Sequence, residues 1–112
     1  MILKISAENF DLSEELSKYA QGKLESLDKY VLRKDRPTTL VEAIFSEQGM
    51  QRTCQLTVKL RREEFTARET TRHTYVSLDI AVAAVEQRLR DYRREHPSAV
   101  RSYLRQKRAG LS

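Results

Sequence analysis

The sequence predicts an α+β domain in which a four-stranded, mostly antiparallel sheet carries two helices on one face, in the order β-α-β-β-β-α. Three observations support this fold class: short runs with the apolar pattern of strands, two longer stretches with apolar residues every three or four positions, and polar turns between them. Strands that are apolar on one side form a sheet with one apolar face, and two amphipathic helices can pack on that face and bury it. The length of 112 residues leaves little room for a second domain.

The first half of the chain predicts a strand, a helix and a second strand. Residues 1–7 form a short apolar run typical of a strand. Ser13 suits the N-cap of a helix, because its hydroxyl can accept a hydrogen bond from the first turn. Apolar residues then recur at steps of three and four as far as Val31, which predicts an amphipathic helix of about five turns. Residues 33–38 are interpreted as a charged loop, and residues 39–47, rich in β formers, as the second strand.

The second half of the chain predicts a hairpin of two strands followed by a long helix. Residues 48–50 form a turn, and the alternation that follows is typical of a half-buried antiparallel strand. Residues 61–64 turn the chain again, residues 65–70 return as the partner strand, and the helix begins near Thr74. The first strand reaches the second through a helix, so parallel pairing of these two is expected. The expected core residues are Cys54, Leu56, Val58 and Leu60 on the strand, and Tyr75, Leu78, Val82, Val85, Leu89 and Tyr92 on the helix.

Positive charge is concentrated in the last quarter of the chain. The chain has 21 Lys and Arg against 16 Asp and Glu, a net charge of +5. Residues 1–85 carry 13 of each sign, whereas residues 86–112 carry 8 basic and 3 acidic residues. Seven of those eight are arginine, whose planar guanidinium suits phosphate oxygens. The pattern favours a polyanionic partner, nucleic acid ahead of a membrane surface; the alternative is a solvated helix end whose arginines aid solubility.

The residues needed for catalysis or for a bound cofactor are missing from the sequence. Cys54 is the only cysteine, which excludes an internal disulfide and a cysteine-cluster zinc site, and a buried structural thiol is expected. His73 and His96 are the only histidines, and no phosphate-cradling glycine loop occurs. We therefore expect no enzyme activity, cofactor, metal or small-molecule substrate. No apolar run approaches the roughly 18 residues of a membrane helix, so a soluble, cytoplasmic protein is expected.

Three motifs, taken together and in order, resemble a known family. The first lies in the run HTYVSLDIAV at residues 73–82, the second in the run VEQRLRDYRR at residues 85–94, and the third in the first helix. They consist of Tyr75-x-x-Leu78-Asp79, of Leu89-Arg90-x-Tyr92-Arg93, and of Lys23, Leu24, Leu27 and Tyr30. Over roughly residues 1–94 the chain resembles the ribosome hibernation-promoting factor family, also called ribosome-associated inhibitors of translation.

The sequence departs from that family at several positions. Arg72-His73 stands where acidic residues usually precede the helix, which leaves Thr74 as the expected cap. Ala84 and Ser26 replace basic residues, and the Arg-Arg-Glu-Glu sequence at residues 61–64 replaces a glycine-containing turn. Positive charge is thus displaced toward the hairpin and the tail.

The resemblance implies binding to the small ribosomal subunit between its head and body, where messenger RNA and the A- and P-site transfer RNAs would lie. Such proteins silence ribosomes during stress or stationary phase, and some promote the pairing of ribosomes. The family's long forms carry an additional C-terminal dimerisation domain, for which 112 residues leave no room. A short form is therefore expected, monomeric when it is off the ribosome.

Charge and resemblance together predict a ribosome-binding domain at residues 1–96 and a basic tail at residues 97–112 that extends along the messenger path. Contacts with ribosomal RNA phosphates, and steric inhibition of translation, are expected. The residues expected to contact RNA are Lys23, Lys29, Arg33, Lys34, Arg61, Arg62, Arg88, Arg90, Arg93, Arg94, Arg101, Arg105, Lys107 and Arg108. Two alternatives stay open: a regulatory module that binds a protein partner through its amphipathic tail, and a general binder of double-stranded nucleic acid.

Overall fold

The computed structural model describes residues 1–95, in which the predicted element order is confirmed. His96 and the predicted tail, with Arg101, Arg105, Lys107 and Arg108, lie outside the described residues. The elements are β1 (Ile2–Ala7), α1 (Glu14–Glu25), β2 (Leu40–Gln48), β3 (Gln51–Lys59), β4 (Glu64–Thr71) and α2 (Thr74–Glu95), with two 3₁₀ helices, Ser26–Tyr30 and Arg33–Thr38, between α1 and β2.

The four strands form one sheet in the order β1-β2-β3-β4. β1 pairs with β2 in parallel, as the helical connection predicts, and the two later pairings are antiparallel. Gln48 pairs with Gln51, so the turn between β2 and β3 contains only Gly49 and Met50. Gly49 has a φ of 58°, a conformation that glycine adopts without the steric penalty of a side chain.

Both helices pack on the same face of the sheet and close a single core. The strands contribute Val41, Ala43 and Phe45 from β2 and residues at alternate positions of β3, among them Leu56, which is fully buried. The predicted core face of β3 is therefore confirmed. The helical contribution consists of Leu16, Ala20 and Leu24 from α1, Leu27 and Val31 after it, and Leu78, Ala81, Val82, Val85 and Leu89 from α2.

The opposite face of the sheet is closed in part by threonine pairs across β3 and β4. The hydroxyls of Thr53 and Thr70 lie 2.8 Å apart, and those of Thr57 and Thr66 lie 3.1 Å apart. Thr53 and Thr57 are consequently buried, although alternation places them on the face away from the helices. Hydrogen-bonded cross-strand pairs of this kind stabilise a sheet without a covering layer.

The first helix is shorter than the periodicity predicts. α1 ends at Glu25, and the chain continues to Tyr30 as a 3₁₀ helix. The Ser26 hydroxyl donates to the carbonyl of Lys23 at 2.6 Å, a local bond by which serine competes with the α-helical pattern. Leu27 and Val31 remain buried, so the apolar stripe continues although the helix type changes. Residues 33–38, expected to be a loop, form the second 3₁₀ helix.

Tyr75 is not a core residue, contrary to the prediction. Its side chain is 40% exposed and its ring packs edge-on against Tyr19, with ring centroids 5.0 Å apart. The buried side of this helix turn is occupied by Ser77, whose hydroxyl donates to the carbonyl of Arg52 at 2.6 Å. The centre of the stripe therefore passes through Ser77 and Leu78, which leaves Tyr75 at its margin. Since α2 begins at Thr74, the position preceding the first turn is occupied by His73 rather than by the expected cap, Thr74.

Replacing Gly22 by alanine is expected to raise the free energy of unfolding by about 0.5–1 kcal/mol. Glycine in a helix interior costs this much relative to alanine. Gly22 lies in α1 at an exposed position, and a Cβ there meets no atom within 4 Å. Thermal and urea unfolding of the two proteins would measure the gain. A loss of stability instead would show that this turn of α1 needs the freedom of glycine.

Candidate nucleic-acid interface

Three segments that carry predicted RNA-contacting residues meet at one end of the molecule. They are the stretch at residues 26–38 that contains both 3₁₀ helices, the turn between β3 and β4, and the C-terminal half of α2. Arg90 donates to the Tyr30 hydroxyl at 2.9 Å, and one cleft is lined by residues of all three segments. We call this surface the basic end; it consists of Lys29, Arg33, Lys34, Arg61, Arg62, Arg88, Arg90, Arg93 and Arg94.

Tyr30 anchors one side of the basic end. The Arg90 guanidinium lies 5.0 Å from the centroid of the Tyr30 ring, and the Lys29 ammonium lies 5.3 Å from the same centroid. The hydrogen bond to Tyr30 is the main cause of a raised Arg90 pKa, and Glu86 adds to it at 3.7 Å. Arg93 reaches back toward the carbonyl of Lys29, at 3.5 Å. These contacts place two cations, Lys29 and Arg90, against the Tyr30 ring and a third, Arg93, beside the backbone of Lys29.

The other side of the basic end contains a cleft of about 270 Å³, which we call the Tyr92 cleft. Its apolar surface comes from Leu32, Leu60 and Tyr92, and its charged surface from Lys34, Arg61, Arg62 and Asp35. The Tyr92 ring packs edge-on against the buried Phe65, with centroids 5.9 Å apart. Arg88 lies over the other ring of this pair, 5.0 Å from the Phe65 centroid.

Most cations of the basic end are not neutralised within the domain. Arg90 and Arg94 lie 3.7 Å and 3.1 Å from the carboxylates of Glu86 and Asp91. Such exposed pairs contribute little and exchange readily for another anion. The other seven cations have no carboxylate of residues 1–94 within 4.0 Å: Lys29, Arg33, Lys34, Arg61, Arg62, Arg88 and Arg93.

Lys23 lies apart from the basic end, although the sequence analysis predicts that it contacts RNA together with these residues. Its ammonium is 3.5 Å from the carboxylate of Asp79 and 5.6 Å from the centroid of the Tyr19 ring. Asp79 is the main cause of the raised Lys23 pKa. Asp79 precedes Arg90 by eleven residues of α2, which is about 16 Å along the helix axis. Lys23 is thus already paired, one helix segment away from the other cations.

Acidic residues are concentrated at the opposite end of α1. Glu8 and Asp11 precede the helix, and Glu14 and Glu15 occupy its first turn. α1 contains 12 residues, so about 18 Å of helix separates this acidic group from the first 3₁₀ helix and the basic end.

Sequence reasoning missed the apolar lining of the Tyr92 cleft and the anchoring role of Tyr30. Leu60 continues the alternation of β3 by one residue beyond the strand, which is the signal that could have indicated it. Arg36, which was not predicted to contact RNA, has a structural role. Its guanidinium donates to the carbonyl of Asp28 and pairs with that residue's carboxylate, both at 3.1 Å.

The thiol of Cys54 lies in the interior of the described domain. Cys54 is fully buried, and its burial raises the pKa of the thiol to about 12, so the predicted structural thiol is confirmed. Among residues 1–95, no cluster of three or more His, Cys, Asp or Glu side chains could hold a metal ion. No helix in that part of the chain is long and apolar enough to span a bilayer.

Comparison with known proteins identifies the chain at the level of class and family. The fold is similar to that of the Thermus thermophilus Protein Y N-terminal domain, with a TM-score of 0.74 and 21% identity over 83% of this chain and 100% of that chain. A ribosomal subunit interface protein from Coxiella burnetii is similar over 83% of this chain and 98% of its own, with a TM-score of 0.70 and 19% identity. No curated protein matches the sequence significantly.

At these identities the structural likeness shows the fold, and the sequence match supplies the family. The Sigma 54 modulation protein / S30EA ribosomal protein family matches residues 3–96. The class of the protein is therefore that of the small α+β proteins associated with the ribosome. The chain belongs to the Sigma 54 modulation protein / S30EA ribosomal protein family, and the family predicted from the sequence is confirmed.

Proposed function

We propose that this protein binds the small ribosomal subunit through phosphates of ribosomal RNA, along the path of messenger and transfer RNA, and silences translation by occupying that space. The observation that carries the proposal is the basic end, where seven cations of the described domain have no carboxylate within 4.0 Å. The family, and a structural relative described as a ribosomal subunit interface protein, support a partner of this kind.

The chemistry of the basic end suits RNA phosphates better than RNA bases. Structured RNA buries its base edges in a deep, narrow major groove, while its phosphates and 2′-hydroxyls remain accessible. Arginine binds phosphate oxygens with two parallel hydrogen bonds. Seven of the nine cations at the basic end are arginines, among them the exposed Arg61, Arg62 and Arg93. Shape and phosphate contacts therefore determine the binding in this proposal, and inhibition is steric.

The basic tail adds contacts in the same proposal. Arg101, Arg105, Lys107 and Arg108 extend the positive charge beyond α2, along the messenger path. The boundary between domain and tail at residues 96 and 97 stays a prediction.

Co-sedimentation with purified small and large ribosomal subunits, across a salt series, tests the proposal. We expect association with the small subunit that weakens steeply with salt. For about six phosphate contacts, log affinity should fall against log salt with a slope near −4 to −5, because each contact releases counterions. Addition of the protein to a cell-free translation reaction should lower its output in parallel with small-subunit binding.

A matched pair of triple variants assigns the contacts. Lys29→Gln, Arg33→Gln and Arg93→Gln remove three unneutralised cations of the basic end, and the slope should become shallower by about 2 to 3. Lys4→Gln, Lys59→Gln and Arg68→Gln make the same charge change at exposed positions of the strands. We expect the second variant to bind the small subunit almost as the original protein does.

Three outcomes would contradict the proposal. Absence from both subunits at low salt would remove the ribosome as the partner. Equally tight binding to a bare RNA duplex would indicate a general binder of double-stranded nucleic acid. A slope near zero would indicate an apolar docking site on a protein.

A further inference from the structure

We propose that the Tyr92 cleft binds one nucleotide unit, with its phosphate among Lys34, Arg61 and Arg62 and its base against Leu32, Leu60 and Tyr92. This goes beyond the phosphate contacts of the proposed function, because it assigns recognition of a base to a particular cavity. The nucleotide can belong to a single-stranded stretch of RNA or be free in solution. Only the ribosomal source rests on the proposed function.

The charged lining of the cleft has an anion-binding composition. Lys34, Arg61 and Arg62 are all exposed, and none of them has a carboxylate within 4.0 Å in the described domain. They come from two segments far apart in sequence, the second 3₁₀ helix and the turn between β3 and β4. A phosphate placed between these segments would therefore be approached by donors from two sides, two of them guanidinium groups.

The rest of the lining distinguishes the cleft from a simple phosphate site. Leu32, Leu60 and Tyr92 give it an apolar surface, which inorganic phosphate cannot use and a base can. The Tyr92 ring is supported by the buried Phe65, so its position is defined before a ligand arrives. Asp35 also lines the cleft, and its carboxylate can accept a hydrogen bond from a base amino or imino group.

The size of the cleft limits the ligand to one nucleotide. Its volume of about 270 Å³ lies just below the range of about 300–1,000 Å³ that is typical of small-molecule sites. A base that enters it has to be unstacked from its neighbours. The cleft therefore fits a single-stranded loop or end of RNA, or a free mononucleotide, and it does not fit a continuous duplex.

Methyl NMR of the full chain tests the proposal directly. The methyl signals of Leu32 and Leu60 are followed during titration with guanosine monophosphate, cytidine monophosphate, inorganic phosphate and a single-stranded RNA pentamer, at one ionic strength. We expect the nucleotides and the pentamer to shift both leucines while the methyl signals of Ile2, on β1, stay unchanged. Inorganic phosphate should leave the leucine methyls in place. The pentamer binding about tenfold or more tightly than either mononucleotide would identify RNA as the source, and the reverse order would identify a free nucleotide.

Two double variants with the same change in net charge distinguish binding in the Tyr92 cleft from non-specific electrostatic attraction. Arg61→Glu with Arg62→Glu should weaken binding of the pentamer and the nucleotides about tenfold or more, because two hydrogen-bond donors are replaced by carboxylates that repel the phosphate. Lys4→Glu with Arg68→Glu, at exposed strand positions, should change it less than about threefold. Tyr92→Leu should weaken binding about 5- to 160-fold, the range for loss of base stacking on an aromatic ring.

Several results would overturn the proposal. Unshifted leucine methyls at saturating pentamer and millimolar nucleotide would do so, as would inorganic phosphate shifting the methyls as strongly as the nucleotides. Equal losses in the two charge variants would also exclude the cleft. Binding to the small subunit without any shift of the leucine methyl signals would support the proposed function and reject nucleotide binding in the cleft. Shifted methyl signals without binding to the small subunit would support nucleotide binding in the cleft and reject the proposed function.

Discussion

Replacing Phe45 by alanine is expected to lower the free energy of unfolding by about 3–5 kcal/mol. Phe45 is fully buried on β2, an interior strand, where it is aligned with Ala7 of β1 and Cys54 of β3. Truncation removes the transfer free energy of the ring and leaves a cavity that the paired strands cannot fill. Since small domains are stable by only about 5–15 kcal/mol, the variant should unfold at a much lower urea concentration. Urea unfolding followed by circular dichroism measures the difference.

Ile44→Ala is the matched control, because Ile44 is the preceding residue of β2 and points to the opposite face of the sheet. It is only half-buried there, so we expect a loss of less than about 1 kcal/mol. A loss as large as that of Phe45→Ala would mean that the second face carries a core of its own. The assignment of a single core on the helical face would then be wrong.

The second large effect is a fall in stability at alkaline pH that depends on Cys54. Burial raises the pKa of the Cys54 thiol from 9.0 to about 12. The folded protein therefore retains the thiol proton at pH values at which the unfolded chain loses it. The contribution to stability is fully present below about pH 9 and is lost as pH rises from about 9 to about 12. At pH 11 this single group should lower the free energy of unfolding by about 2–3 kcal/mol relative to pH 8.

The comparison with Cys54→Ala isolates this effect. The variant loses packing at every pH, but it lacks the thiol, so its free energy of unfolding should fall less between pH 8 and pH 11. Tyr19 and Lys23, whose pKa values are also raised, titrate in both proteins and cancel in the difference. Urea unfolding at a series of pH values gives both curves. Parallel curves would show that the Cys54 thiol is not protected from water as the structure indicates.

Sequence reasoning succeeded where the cause of a structure is local. Ser13 accepts a hydrogen bond from the Leu16 amide at 3.1 Å, as expected of an N-cap followed by acidic residues. The alternation through Cys54 identified the buried face of β3, because the side chains of a strand alternate with a period of two. The end of α1 was missed because the apolar residues keep their spacing of three or four through the 3₁₀ helix that follows. The hydrogen bond of the Ser26 hydroxyl accompanies the change of helix type, but a pattern of apolar residues does not reveal it.

The positive charge of the candidate site could be predicted from the sequence, whereas the ion pairs and contacts between its residues could not. Arginine enrichment near the C-terminus is visible in the sequence. The neutralisation of Lys23 is not, since its partner Asp79 lies 56 residues away and is brought near only by the packing of the two helices. The Tyr92 cleft has the same origin, because its apolar residues come from positions 32, 60 and 92. Contacts between distant segments cannot be derived from local patterns alone.

The separation of the acidic start of α1 from the basic end also has a kinetic consequence. Opposite charges at the two ends of one helix segment give the domain an electric dipole. In the electric field of a polyanion such a dipole orients the molecule before contact, with the basic end toward the polyanion. A larger fraction of collisions then leads to binding, which raises the association rate constant. Added salt should then slow association with RNA more than it speeds dissociation. If the protein binds RNA as proposed, neutralising Glu8 and Asp11, which lie at the far end of α1 from the basic end, should change the association rate constant and leave the dissociation rate constant unchanged.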